Sequence, residues 1–389
     1  MNGTIRIAYL SNDLADPATL RRVETLLTGG AAITLAGFRR TERPVSAVHC
    51  VAALDLGQTN DGQLPRRAMR VASKAMARWT HTLFNGADVV LARNLDMLLF
   101  GLAARWRTRS HVPVVYECLD INQRMMGTQA ARRALRRLDA YALSRSDGLL
   151  VSSPSFVSEY FSRLGVAVPP VILAENKLRP GTGARAGTPA ASLQLPWRIG
   201  WFGNLRCTRS FEFLRDLAAR WPRVIEVVLR GRPTVPVAEL IERHLPCSGM
   251  RYEGLYTLDD LPALYAPCHF AWAIDYFDPT ANSQWLLPNR IYEGSFFHVP
   301  AIARAGTATA AWLLEHDAGL IVDELDDLHG AIGSMISNKG RLEVLRKAVA
   351  RIPLIDLVWT AASCQSLVSQ IAHLSQSPNR ERLKEIVNV

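Results

Sequence analysis

The sequence predicts an α/β protein made of two doubly wound domains of similar size that face a central cleft. Three observations predict it. Short β-rich apolar runs alternate with longer helical stretches along the 389 residues, as buried parallel strands and their crossover helices require. The alternation breaks once near the middle and then restarts. The chain is also longer than the roughly 250–300 residues at which single cores stop growing.

Taken in order, the first domain (1–178) offers the runs TIRIAYL (4–10), AITLAGF (32–38), AVHCVAAL (47–54), DVVLAR (88–93), PVVYECL (113–119), DGLLVSS (147–153) and PVILAEN (170–176). LRPGTGARAGTPAASLQLP (178–196) follows, rich in Gly, Pro, Ala, Ser and Thr and without hydrophobic period, so 179–196 reads as an interdomain linker. Its GTG lacks both the full GxGxxG and the strand-to-helix setting of a phosphate loop. The second domain (197–354) offers RIGWFGN (198–204), VIEVVLRG (224–231), MRYEG (250–254), HFAWAID (269–275), VPAIAR (299–304) and AGLIVDE (318–324), with helices such as RSFEFLRDLAARW (209–221) between them. Residues 355–389 read as a helical tail whose packing partner the pattern does not specify. Ligands of open α/β sheets bind beyond the carboxyl ends of the strands, which places the functional site at the cleft.

With 49% hydrophobic, 21% charged and 8% aromatic residues, the chain is not a disordered, collagenous or small disulfide-stapled protein. No run approaches the roughly 18 apolar residues of a membrane span, and MNGTIRIAYLSNDLAD carries acids where a signal peptide needs an apolar core, so a cytosolic location is expected. The six cysteines are scattered with no CxxC pair, and read as reduced, mostly buried thiols.

The net charge of +10 is uneven: residues 1–178 hold 23 Lys/Arg against 14 Asp/Glu, and the remainder 22 against 21. The excess lies in RRAMRVASKAMARW (66–79), RWRTR (105–109) and ARRALRRLDAYALSR (131–145), which points to an anionic partner for the first half. In the last of these, Ala134, Leu135, Leu138, Ala142 and Leu143 recur at helical spacing among Arg132, Arg133, Arg136, Arg137 and Arg145. Two readings fit this pattern, a solvated arginine-rich helix and a face for anionic phospholipid. Nucleic acid is not expected as a partner, because the basic stretches carry few aromatics and no recognition motif.

The strongest chemical constellation lies in IGWFGNLRCTRS (199–210) and LLPNRIYEGSFFHVPAIA (286–303). A strand ends at Gly203 and a helix opens near Arg209, so backbone N–H groups and arginines surround a helix N-terminus suited to an anion. Asn289, Arg290 and Glu293 precede the strand VPAIA, where a carboxylate can accept hydrogen bonds from the vicinal hydroxyls of a ribose. Together they describe a nucleotide diphosphate site. Taken singly, the arginines also fit surface solvation, and Glu293 an acid on a helix surface.

YECLDI (116–121), GNLRCTR (203–209) and PNRIYEGSFFHVPAIA (288–303), with the opening SNDLADPATLRRVETLLTGG (11–30) and LAGFRR (35–40), resemble a GT-B glycosyltransferase of the family 4 type, most closely the bacterial enzymes that assemble exopolysaccharide or capsule. The resemblance spans nearly the whole chain and implies a GT-B fold of two Rossmann-like domains, the first for the acceptor and the second for the nucleotide-sugar. It places Gly203 at the family's glycine, Asn204 where Arg is usual and Arg209 where Lys is usual. Glu293 matches the second of two glutamates eight residues apart, whereas the first falls on Trp285, which is no acid. Ser283, Gln284 and Asp275 are the candidates to replace it.

In the first domain Asp120, just beyond PVVYECL, is a candidate catalytic or acceptor-binding residue or else an N-cap, and Asp13 is the competing carboxylate. Family likeness implies retention of anomeric configuration. His81, His269 and His298 lack ligand spacing, and LDDL (258–261) and LDDLHG (325–330) read as helix starts rather than DxD pairs. Neither metal nor cofactor is expected.

The expected function is transfer of a sugar from a UDP- or GDP-linked donor to a lipid-linked glycan, by a protein peripherally bound to the inner face of the cytoplasmic membrane. Arg209, Arg230 and Arg290 would offset charge on the departing diphosphate and Glu293 would orient the ribose. Arg132, Arg133, Arg136 and Arg137 would face lipid and acceptor. The competing readings are a hydrolysing nucleotide-sugar epimerase and a non-catalytic membrane-surface or polyanion-binding protein on the same fold.

Overall fold

The computed structural model describes residues 4–59, 64–183, 185 and 191–374. Two sheets form. The strands of the first are β1 (Arg6–Ser11), β2 (Ala32–Arg39), β3 (Ala47–Val48), β4 (Val51–Gln58), β5 (Val89–Arg93), β6 (Val114–Cys118), β7 (Gly148–Val151) and β8 (Val171–Leu173). They lie in the order β3-β4-β2-β1-β5-β6-β7-β8. The second holds β9 (Trp197–Leu205), β10 (Ile225–Pro233), β11 (Met250–Tyr252), β12 (Phe270–Trp272), β13 (Ala301–Arg304) and β14 (Gly319–Val322). Their order is β11-β10-β9-β12-β13-β14. The central strands β1, β5, β6, β7, β9 and β12 are buried along most of their length. Every named pairing is parallel except β3 with β4. The α/β, doubly wound fold class is therefore as the alternation of runs predicts.

One expected strand is two. AVHCVAAL breaks at His49, whose φ of 51° turns the chain back so that β3 pairs antiparallel with β4. The apolar alternation continues through that turn and conceals it.

The chain divides into two compact units. The first gathers the chain up to Glu175, Arg179–Gly181 and the segment that begins at Trp359; the second gathers Asn176–Leu178 and Thr182–Val358. The segment 355–374 is thus not a separate tail. Leu354–Leu357 belongs with the second unit, while the helix Ala361–Leu374 packs in the core of the first through Cys364, Leu367, Val368, Ile371 and Leu374. The approach is close: a Cβ on Gly29 would meet the Cys364 carbonyl and the Val368 side chain at 2.5 Å. The linker is equally tied down at Arg185, whose guanidinium donates to the carbonyls of Ser295, Phe296, Val349, Ala350 and Ile352. Those oxygens end the helices Asn289–Phe296 and Gly340–Arg351, where the intrahelical ladder leaves carbonyls open to further donors. Among the described residues no helix is long and apolar enough to cross a membrane.

Inside the first unit, Arg93 on β5 and Glu117 on β6 are register partners, and both are fully buried. Arg93 Nε donates to Glu117 Oε2 at 3.0 Å, Arg22 Nε to Oε1 at 2.6 Å and Tyr9 Oη to Oε2 at 2.7 Å. Burial opposes the charged carboxylate, but the two guanidiniums outweigh it and hold Glu117 down to about 2. The cluster also binds the places where the chain crosses between units. Arg22 Nη2 donates to Ala174 O at 3.3 Å and lies 5.9 Å from the Trp359 ring, whose indole N–H donates to Glu175 O at 3.3 Å.

Removing one partner of a buried ion pair strands the others without counter-charge, at about 3–5 kcal/mol. Glu117→Gln is therefore expected to lower unfolding free energy by roughly that amount at pH 7, read by urea denaturation. Because the folded value of Glu117 lies below its unfolded one, this stabilisation is present above about pH 4.5 and fades as pH falls through about 2. A Gln variant as stable as the wild type at pH 7 would contradict this account.

Candidate active site

The candidate site residues of the second unit lie around the carboxyl ends of its sheet. Gly203 on β9 and Gly231 on β10 are register partners, with φ of 101° and 130°. Only glycine fits there: a Cβ on Gly231 would lie 2.0 Å from the Gly203 carbonyl oxygen. Beyond Gly203 the chain gives exposed Asn204 and then the helix Thr208–Arg220. Cys207 caps this helix, its sulfur accepting from Ser210 N at 3.3 Å.

Glu293 sits within the helix Asn289–Phe296, is 3% exposed, and accepts from Tyr265 Oη at 3.2 Å. It is therefore a buried carboxylate and not a surface acid. Asn289 opens the same helix. Arg290 Nη1 donates to Trp272 O, the last carbonyl of β12, at 3.1 Å. Arg230 Nη2 is spent in the same way on Leu255 O at 2.7 Å, while its Nε is buried with no hydrogen-bond partner.

Arg209 does not stand beside Glu293 in any contact among the described residues. Its guanidinium lies 4.1 Å from the Tyr276 ring centroid and 3.7 Å from Glu324. Arg206, which sequence reasoning did not single out by itself, is held instead by Asp275 through Nε at 2.9 Å and Nη2 at 2.6 Å. Ser283 Oγ donates to the same carboxylate at 3.0 Å. Two of the three candidates to replace the missing glutamate thus form one group with Arg206. Burial raises the Asp275 carboxyl, yet Arg206 and the Phe277 N–H prevail and keep it below the usual range. Trp285 is buried in the short helix Asn282–Trp285.

In the first unit the two carboxylates differ. Asp13 is buried and braces its loop, Oδ1 accepting from Ala15 N at 3.1 Å and from Arg40 N at 3.3 Å. Asp120 is exposed. It is not the N-cap considered above; Asn122 takes that place, its side chain accepting from Arg124 N at 2.9 Å. Sequence reasoning missed Glu117 three residues earlier, because a lone acid in an apolar run shows nothing of the arginines that neutralise it.

The basic helix, Ala130–Ser144, also departs from expectation. Arg133 and Arg137 are exposed and Arg136 is half-buried, but Arg132 turns back to the Met126 carbonyl at 2.9 Å. Ala134 and Leu138, expected on the inward face, are exposed, and Tyr141 beside them is 55% exposed. The buried face contains Asp139, which is 0% exposed and accepts from Tyr160 Oη at 2.8 Å.

Burial pushes the Asp139 carboxyl up to about 6 against that hydrogen bond. An acid with a raised folded value stabilises the fold most at low pH and loses that contribution as pH rises through about 6. Asp139→Asn is accordingly expected to gain stability relative to wild type by roughly 2–3 kcal/mol between pH 4 and pH 8, read from urea midpoints. A difference that stays constant with pH would contradict the assignment.

No family model matches the chain. It is 38% identical over 390 residues to the succinoglycan biosynthesis protein ExoL of Rhizobium meliloti (strain 1021), a match that covers 96% of this chain and 95% of that protein. Among solved structures it resembles Anabaena Alr3699/HepE in complex with UDP and glucose, with TM-score 0.61, 18% identity and 99% of each chain covered. Sucrose-phosphate synthase from Thermosynechococcus elongatus gives TM-score 0.68 at 14% identity, covering 96% of this chain and 98% of that one. The lipopolysaccharide outer core galactosyltransferase WaaB gives 0.61 at 12%, covering 96% and 100%. The chain belongs to the family of the succinoglycan biosynthesis protein ExoL, and its fold is that of these solved GT-B structures.

Proposed function

We propose that this chain is a glycosyltransferase of bacterial exopolysaccharide assembly, and that it takes its sugar from a UDP- or GDP-linked donor bound at the carboxyl ends of the second sheet. The observation that carries the reading is Glu293, a carboxylate buried in the same unit as arginines at strand and helix ends. Tyr265 Oη holds this carboxylate in place. A ribose offers two hydroxyl donors to such an acid. UDP in the HepE complex and the succinoglycan pathway named for ExoL support the donor class and the biological setting.

In this reading Glu293 orients the ribose and Arg209 neutralises the departing diphosphate. Arg230 contributes through the nitrogens that Leu255 does not use, and Arg290 adds positive charge from beside β12. The chemistry needs no metal if these cations offset the leaving-group charge. Thermal unfolding with UDP, GDP, ADP and dTDP tests it. A nucleotide at about 100 times its dissociation constant adds roughly 2.7 kcal/mol to the folded state. One nucleotide should raise the melting temperature, and Glu293→Ala and Arg209→Ala should each abolish that rise. No rise with any of the four removes the donor assignment.

The acceptor in this proposal is a lipid-linked glycan, reached by peripheral binding of the first unit to anionic lipid. Exposed Arg133 and Arg137 alternate with exposed Leu138 and Tyr141 on one helix, a combination suited to a charged, partly apolar interface. Because Arg132 is engaged with its own loop, the informative variant is Arg133→Glu with Arg137→Glu. Sedimentation with vesicles containing about 30% phosphatidylglycerol should fall several-fold for the double variant, given about 1 kcal/mol per basic residue at such a surface. Unchanged sedimentation refutes the lipid contact.

A further inference from the structure

Three buried donors at one point of the second unit lack an acceptor. Arg304 ends β13 and is half-buried, and its Nε and Nη2 are both without a hydrogen-bond partner. It forms no ion pair among the described residues. The third donor is the hydroxyl of Tyr276, also buried and unpartnered. The Arg304 guanidinium lies 5.1 Å from the Tyr276 ring centroid, and Arg209 lies 4.1 Å from the same centroid. Two guanidiniums therefore share one ring, and the acid near them is Glu324, 3.7 Å from Arg209, with both side chains more than half exposed.

Such an arrangement is costly as it stands. Each buried donor without a partner costs about 1–3 kcal/mol, and more where it carries charge. The Arg209–Glu324 contact is too exposed to offset much of that. An oxyanion would satisfy all three donors and both charges. A guanidinium donates through a planar fork that matches phosphate oxygens, and the tyrosine hydroxyl supplies one further hydrogen bond. The position is also that of a ligand site in a parallel sheet, since Tyr276, Arg304 and Glu324 follow or end β12, β13 and β14, and Arg209 stands in the first turn of the helix after β9.

We propose that Arg304, Tyr276 and Arg209 bind a phosphate group of the nucleotide donor, and that the anion displaces Glu324 from Arg209. The inference rests on the donor reading above and adds to it two ligands and a competing carboxylate. Glu324 competes with the anion for Arg209 over the ring and gives it up to the stronger partner.

Isothermal titration with inorganic pyrophosphate, UDP, GDP and uridine tests this on wild type, Arg304→Met, Arg304→Lys and Glu324→Gln. Arg304→Met keeps the bulk against Tyr276 and should weaken pyrophosphate and the bound nucleotide by roughly 10- to 100-fold, leaving uridine unchanged. Arg304→Lys, which retains the charge without the fork, should fall between, and it carries the test if the Met variant does not fold. Glu324→Gln should tighten pyrophosphate by roughly 3-fold or more, as loss of a competing carboxylate predicts and a purely structural role does not. Wild-type affinity in Arg304→Met overturns the site, and an unaltered Glu324→Gln overturns the displacement. Binding of pyrophosphate without either nucleotide keeps the anion site and removes the donor reading. A nucleotide that binds wild type and Arg304→Met equally does the reverse, and wild type binding no anion overturns both.

Discussion

In a sheet whose strands run parallel, each connection crosses a face, so every strand delivers its carboxyl end to the same rim. Both units of this protein obey that constraint, and their charged residues gather where it leads them. The two rims solve the resulting problem in opposite ways. In the first, Arg22 and Arg93 are neutralised within the protein by Glu117, with Tyr9 completing the shell. In the second, Arg304 and the Tyr276 hydroxyl have no such acceptor among the described residues. A closed network serves the scaffold, and an open one leaves capacity for a ligand.

The closed network also explains how the chain holds its crossings. Arg22 reaches from Glu117 to Ala174 and to the Trp359 ring, so one buried charge cluster holds the segments just before the first crossing and just after the last. Arg185 performs the same service on the second unit by closing the carbonyl ends of two helices. In both cases a long cationic side chain meets backbone oxygens at the ends of secondary-structure elements. The fold is thus anchored at its connections by arginines.

Much of this was legible in the residues. The apolar runs gave the parallel strands, because strands buried on both faces cannot alternate. Gly203 was legible from its place near a strand end, and the structure adds the reason, which is its φ of 101° and the close approach of its carbonyl to Gly231 on the neighbouring strand. Glu293 was legible from its place before VPAIA. Other features depend on register or on distant packing and leave no local mark. Glu117 pairs with Arg93 through the alignment of β5 and β6. Arg304 reads as the polar end of a strand until Tyr276 is placed beside it. The helix Ala361–Leu374 shows an apolar face but nothing of Gly29, against which it packs. Helical periodicity in 131–145 misassigned Ala134 and Leu138 and gave no sign of Asp139, since a buried acid held by Tyr160 defeats any pattern based on polarity.

The central claim is that the carboxyl rim of the second sheet holds the nucleotide diphosphate of the donor. Hydrogen–deuterium exchange of the full chain, with and without saturating UDP or GDP, tests it most directly. The account predicts slowed exchange concentrated in 203–210, 275–277 and 288–306, with the strands of the first unit unchanged. Protection confined to the first unit, with those three segments exchanging as in the free protein, would contradict it.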